Sequence, residues 1–140
     1  MKILVTVDAI VERDDKILLI KRKNEPFKGC WALPGGFIEY GESAEEAVKR
    51  EIKEEANLEI KIKRLLGVYS TFGRDPRGHV ISICYLADGR GKEKGGSDAG
   101  DARFFGLDEL KKEKLAFDHA KIIEDYIKVK GIENEPSAKV

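Results

Sequence analysis

Apolar positions along this chain follow two periods. From Ile3 to Val11 β-branched residues dominate, the polar run ERDDK follows, and Ile17 to Ile20 resumes the apolar pattern, which predicts two strands joined by a polar turn. KRKNEPFKG then reads as a charged loop, and CWALPGGFI as a short apolar piece whose Pro34, Gly35 and Gly36 argue against a continuous strand. Leu58 to Ile62, Leu65 to Tyr69, His79 to Leu86 and Arg103 to Phe105 read as further strands, and LDEL as a turn. Helical spacing appears twice. Ala44 to Ala56 is free of Gly and Pro, with Ser43 as N-cap, Glu46 completing a capping box, and Asn57 as a left-handed stop. A second helix, capped by Asp118 and running to about Lys130, repeats apolar residues at Ile122, Ile123, Tyr126 and Ile127. Strands dominating around two separated helices predict an α/β fold, a mixed sheet covered by helices. Residues 1–130 are expected to form one domain and residues 131–140 a flexible tail.

Composition narrows the class. At 140 residues and 41% hydrophobic content the chain suits one globular domain with a real core. Lys and Arg (26) balance Asp and Glu (26), so no broadly basic surface is available for a nucleic acid backbone or an anionic membrane. No segment approaches the roughly 18 apolar residues of a membrane span, and Asp8 interrupts the N-terminal apolar run, which lacks a cleavage signal. Cys30 and Cys84 form neither a disulfide framework nor a zinc motif; two buried thiols in a reducing cytoplasm are expected.

The chemistry is concentrated in REIKEE, Arg50 to Glu55, which places three carboxylates on one helix where like charges three and four residues apart repel. With Val48 at zero on a helical wheel, Ala44 and Ile52 lie about 40 degrees to either side and mark the core stripe. Glu55 falls about 20 degrees from Val48, Glu51 about 60, Glu54 about 120 and Arg50 about 160, all on one side. The carboxylates form a band from solvent to the buried edge. A solvated helix face accounts for Glu54 or Lys53 but not for Glu55, because an unpaired buried carboxylate is costly. A hard divalent cation such as Mg²⁺ or Mn²⁺ prefers such oxygens and inverts the local repulsion. All-oxygen sites of this kind suit phosphate substrates. Periodicity alone leaves both readings standing.

The full run GFIEYGESAEEAVKREIKEEANL, Gly36 to Leu58, resembles the Nudix box at Gly36, Glu42, Arg50, Glu51, Ile52, Glu54, Glu55, Asn57 and Leu58. Asn57 departs, since that place is usually Gly, yet both tolerate the positive φ of a helix stop. WALPGG and DAGDARFFGLDEL also look like the family. The resemblance implies an α/β/α sandwich with a mixed sheet between helices, and hydrolysis of a pyrophosphate linkage. It implies Mg²⁺ or Mn²⁺ held by Glu51, Glu54 and Glu55, with a contribution from the Gly36 carbonyl. Arg50 then orients the glutamates, and Glu42 anchors the box against Arg50 or a metal-bound water. The general base is either a box glutamate, Glu51 or Glu54, or a loop carboxylate, for which Glu93, Asp98 and Asp101 are the candidates.

The group hanging from the pyrophosphate has to be sought outside the box. YSTFGRDPRGHVIS, Tyr69 to Ser82, looks like the segment that follows the box in ADP-ribose pyrophosphatases. Arg74 or Arg77 would pair with phosphate, and Tyr69 or Phe72 would flank a base. The resemblance therefore points to ADP-ribose, cut to AMP and ribose 5-phosphate. Dinucleoside polyphosphates, other nucleotide sugars, nucleoside triphosphates and a non-catalytic nucleotide-binding module are the alternatives. A packed, hydrogen-bonded role is expected for His79. The expected partner is a nucleoside diphosphate-linked small molecule, with no nucleic acid and no membrane, and a homodimer is left open because relatives of this type often pair.

Overall fold

A computed structural model describes residues 1–96 and 99–134. Its elements are β1 (Leu4–Arg13), β2 (Lys16–Arg22), β3 (Trp31–Ala32), β4 (Gly35–Phe37), α1 (Ala44–Ala56), β5 (Glu59–Tyr69), β6 (Val80–Arg90), β7 (Ala99–Gly106), α2 (Leu107–Leu110) and α3 (His119–Asn134). The strands make one mixed sheet in the order β3-β2-β1-β6-β5, with β4 joined to β1 and β7 to β2. The central pair, β1 and β6, is parallel, and the other pairings are antiparallel. Burial on both faces explains why β1 reads as a nearly continuous apolar run rather than an alternation.

The two faces sort β1 by parity. Val7, Ala9 and Val11 join Leu18 and Ile20 under α1, where Ala47, Val48, Ile52 and Ala56 complete one core cluster. Ile10 joins Ile17, Leu19, Cys84 and Leu86 under α3, where Ile122, Ile123 and Tyr126 complete the other. This is the expected α/β/α sandwich. Asp14 and Asp15, with φ of 52° and 61°, form the two-residue turn between β1 and β2. Positive φ at both positions matches the twist of the flanking strands.

Helix α1 has the limits read from the sequence, Ala44–Ala56, with the Ser43–Glu46 capping box and Asn57 at φ 61°. Other boundaries shift. The two segments predicted from Leu58 to Tyr69 are one strand, with irregular register between Ile62 and Arg64 and between Leu65 and Gly67. Strand β6 runs to Arg90, β7 starts at Ala99, and LDEL is a single helical turn. Helix α3 continues to Asn134, past the expected tail boundary, while residues 135–140 lie outside the described residues. Ile127 is 42% exposed, unlike its three apolar companions.

The segment after β6 is tied to the end of α1. Lys94 N–H donates to the Ala56 carbonyl at 2.9 Å, Gly96 N–H to the Glu55 carbonyl at 3.2 Å, and Asn57 Nδ2 to the Lys92 carbonyl at 3.3 Å. Cys30 is partly buried and Cys84 fully buried, and both are free thiols. Among the described residues no helix is long and apolar enough to cross a membrane.

Candidate active site

The box helix meets the Leu33–Phe37 segment at one end of a cleft of about 290 Å³. Glu51, Glu55, Gly35, Gly36 and Phe37 line it together with Asp8, Arg22, Arg74, Asp75, Arg77, Phe117 and His119. Capping fixes where α1 begins, and the core stripe of Val48 and Ile52 fixes its rotation, so Glu55 is turned inward. It is 6% exposed, and its Oε1 accepts from Gly35 N–H at 2.8 Å. Burial pushes its carboxyl well above the usual range, Glu51 and Asp8 add to that, and the Gly35 hydrogen bond opposes it.

Arg50 organises the outer part. Its Nε and Nη2 donate to the two oxygens of Glu42 at 2.7 and 2.9 Å, its Nη1 donates to Glu51 Oε1 at 2.7 Å, and its Nη2 also reaches the Phe37 carbonyl at 3.1 Å. The bidentate hydrogen bond from Arg50 holds the Glu42 carboxyl down at about 2. Glu54 is tied more loosely, by a single 3.4 Å contact to Arg50 Nη1, and lies outside the cleft lining. Arg50 thus pairs with Glu42, Glu51 and Glu54 together.

Among the described residues no three His, Cys, Asp or Glu side chains are already gathered as a metal cage. The donor chemistry nevertheless fits a hard cation. Glu51 and Glu55 bring carboxylate oxygens to one cleft wall, where burial of like charges is costly without a counter-ion. Gly36 has the cradle such a site needs: a Cβ there would stand 2.5–2.7 Å from the Glu51 carboxylate. A side chain at Gly36 would displace the group it borders.

The loop before β6 brings two arginines to the cleft and diverts its aromatics. Arg74 is clamped by the side chain of Asp118, the residue just before α3, Nε to Oδ2 at 2.8 Å and Nη2 to Oδ1 at 2.6 Å. Arg77 is clamped by Asp75 at 3.0 and 2.7 Å, and its guanidinium lies 4.8 Å over Phe37 and 5.3 Å from the Phe117 ring centre. Burial alone would raise the Asp75 carboxyl, but the Arg77 hydrogen bonds outweigh it and hold it low. Tyr69 and Phe72 are not brought to the cleft. Tyr69 sits under α3, where its hydroxyl donates to Asp125 at 2.9 Å. Phe72 is 77% exposed and stands edge-on to His79, whose Nε2 is 3.3 Å from the Ser70 carbonyl.

The loop acids are also elsewhere. Glu93 pairs with Arg13 at 2.7 Å, and Asp101 accepts from Arg103 and Ala102 N–H, each at 2.8 Å; neither lines the cleft. Asp98 lies outside the described residues. Sequence reasoning passed over Asp8, Asp75, Phe117 and His119. Asp8 did leave a signal, as a charge inside an apolar run, whereas Phe117 at φ 53° left none.

The chain is similar to proteins of known name and structure. The chain is 65% identical over 128 residues to the ADP-ribose pyrophosphatase of Methanocaldococcus jannaschii, covering 91% of this chain and 75% of the relative. The bifunctional NMN adenylyltransferase/ADP ribose pyrophosphatase of Francisella tularensis, solved with AMP and a manganese ion, superposes with a TM-score of 0.84 at 30% identity, over 91% of this chain and 42% of that one. The NUDIX domain of Shewanella oneidensis NrtR, solved with ADP ribose, gives 0.81 at 32% identity, over 91% and 88%. The chain thus spans less than half of the bifunctional protein and most of the other two. The NUDIX domain model matches residues 2–126, and the chain belongs to the NUDIX domain family.

Proposed function

We propose that this protein hydrolyses ADP-ribose to AMP and ribose 5-phosphate with Mg²⁺ or Mn²⁺. The observation that carries the substrate is the 65% identity, over 91% of this chain, to a relative named ADP-ribose pyrophosphatase. The cleft supports it by gathering box carboxylates with Arg77, Phe37 and Phe117 in one lining. Glu51 and Glu55, with Glu54 and the Gly36 carbonyl, would hold the cation. When bound, such a cation neutralises pyrophosphate oxygens and makes water a better nucleophile. Arg77, stiffened by Asp75, pairs with phosphate, while Arg50 and Glu42 keep α1 and the Phe37 segment in register. We assign the proton acceptor to a box glutamate in preference to Glu93 and Asp101, which do not line the cleft and are held by Arg13 and Arg103, while Asp98 lies outside the described residues. A cytoplasmic setting suits the two free thiols.

Incubation of the purified protein with ADP-ribose and Mg²⁺ or Mn²⁺ should release AMP and ribose 5-phosphate in equal amounts. Tight binding without turnover would overturn the hydrolase reading in favour of a nucleotide-sensing module. Glu51→Gln and Glu54→Gln should each lower kcat on the order of 10²-fold or more. Glu93→Gln should stay within about threefold of wild type, and a loss matching the box variants would move the base to the loop.

A further inference from the structure

Two buried polar residues at the floor of the cleft take no part in the chemistry above. Asp8, in the middle of β1, is 7% exposed, and His119, the first residue of α3, is 4% exposed; both line the cleft. Each has one atom committed. Ser82 Oγ donates to Asp8 Oδ2, and Leu33 N–H donates to His119 Nδ1 at 2.9 Å. An imidazole nitrogen that accepts from an amide carries no proton, so the neutral ring has its proton on Nε2. Burial favours that neutral form, with Asp8 and Asp118 pulling the other way and Arg74 and Arg22 supporting it.

The remaining atoms, His119 Nε2 and Asp8 Oδ1, face one another at 4.0 Å. That is too long for a direct hydrogen bond, but one oxygen about 2.8 Å from each can bridge them. The pair also selects the kind of oxygen. Nε2–H needs an acceptor and the carboxylate needs a donor, so the bridging atom must do both. A phosphate oxygen only accepts and would lie against a carboxylate, an ammonium only donates, and a water or a hydroxyl does both, so among the groups of a diphosphate-linked substrate the pair fits a sugar hydroxyl, which would take the place of water. The place is next to the chemistry: Asp8 Oδ1 is 2.5 Å from where a Cβ on Gly35 would stand, and Gly35 N–H is bonded to Glu55.

We propose that Asp8 and His119 bind one ribose hydroxyl of the diphosphate-linked substrate, beside the bond that is cut, an inference that rests on the hydrolase reading of this cleft. Asp8 and His119 thereby select a sugar on at least one side of the pyrophosphate and disfavour diphosphates lacking that hydroxyl.

The test pairs side-chain changes with hydroxyl deletions in the ligand. His119→Asn keeps an acceptor near Nδ1 and loses the distal donor, whereas His119→Gln keeps a distal donor. Binding of ADP-ribose is measured by calorimetry with EDTA, which removes turnover, alongside 2′- and 3′-deoxy analogues of the adenosine ribose and of the terminal ribose. kcat/KM is then measured with Mg²⁺. Wild type should bind one deoxy analogue about tenfold more weakly than ADP-ribose, and His119→Asn should shrink that difference to within about twofold. His119→Gln should retain part of it. The analogue that responds identifies which ribose is held. Equal weakening of ADP-ribose and every analogue by His119→Asn overturns the proposal. Should that variant fail to show a cooperative thermal transition, Asp8→Asn, of the same shape, completes the same cycle. Hydroxyl discrimination in binding without ADP-ribose turnover sinks the hydrolase reading and leaves the contact standing; turnover without discrimination does the reverse.

Discussion

Adjacent glycines ask different things of the residues they touch. A Cβ on Gly35 would stand 2.0 Å from the Val7 carbonyl oxygen, which belongs to a central strand and cannot step aside. A Cβ on Gly36 meets the far end of the Glu51 side chain, which can rotate away. Gly35→Ala should therefore cost about 2–3 kcal/mol or more in denaturant unfolding. Gly36→Ala should unfold within about 1 kcal/mol of wild type yet lose most of its turnover, because the displaced group is a box carboxylate. The sequence marked both glycines as a break in the apolar segment, but not which backbone or side chain each one borders. That difference depends on β4 lying against β1 with Asp8 opposite Gly35 and Val7 opposite Gly36, pairs separated by 27 and 29 positions in the chain.

At the scale of elements, α1 was almost wholly legible because its signals are local. Its caps, core stripe and inward Glu55 follow from residues within a few turns of one another. Asn57→Gly should leave stability nearly unchanged, since the αL backbone favours glycine while the Nδ2 contact to Lys92 is lost; Asn57→Ala should cost about 1–2 kcal/mol in the same unfolding assay. The partners of the next loop were less legible. Tyr69 and Phe72 looked like base-flanking rings, but Tyr69 ends β5 on the α3 face and Phe72 projects into solvent, while Phe37 and Phe117 supply the aromatic surface beside Arg77. Such placements arise from which face a strand end presents and from contacts across 40 or more residues, neither of which periodicity records.

Across the whole molecule, acid should loosen the fold from two sides. His119 has a folded pKa below its ordinary 6.5, so below that pH the unfolded chain takes up a proton that the folded chain resists. This contribution to stability falls as pH drops from about 7, by up to about 1.4 kcal/mol per unit until the folded value is passed, while Glu55, whose raised carboxyl takes up its proton more readily in the folded chain, works in the opposite direction. Glu42 acts lower down: its pairing with Arg50 is fully stabilising above the ordinary 4.5 and is lost as pH falls through about 2. Denaturant unfolding at pH 7 and pH 5 isolates the first effect as a difference: the change in stability between the two pH values should be shifted toward loss in wild type relative to His119→Gln, since Glu55 acts equally in both. The hydrogen bonds from Lys94 and Gly96 to the last carbonyls of α1 have a further consequence for motion. Although they belong to a connecting segment, these two amides open only when the end of the box helix releases them, so their hydrogen exchange should keep pace with that helix. Ligand bound at Glu55 should then slow exchange at Lys94 and Gly96, giving the cleft a readout on residues that do not line it.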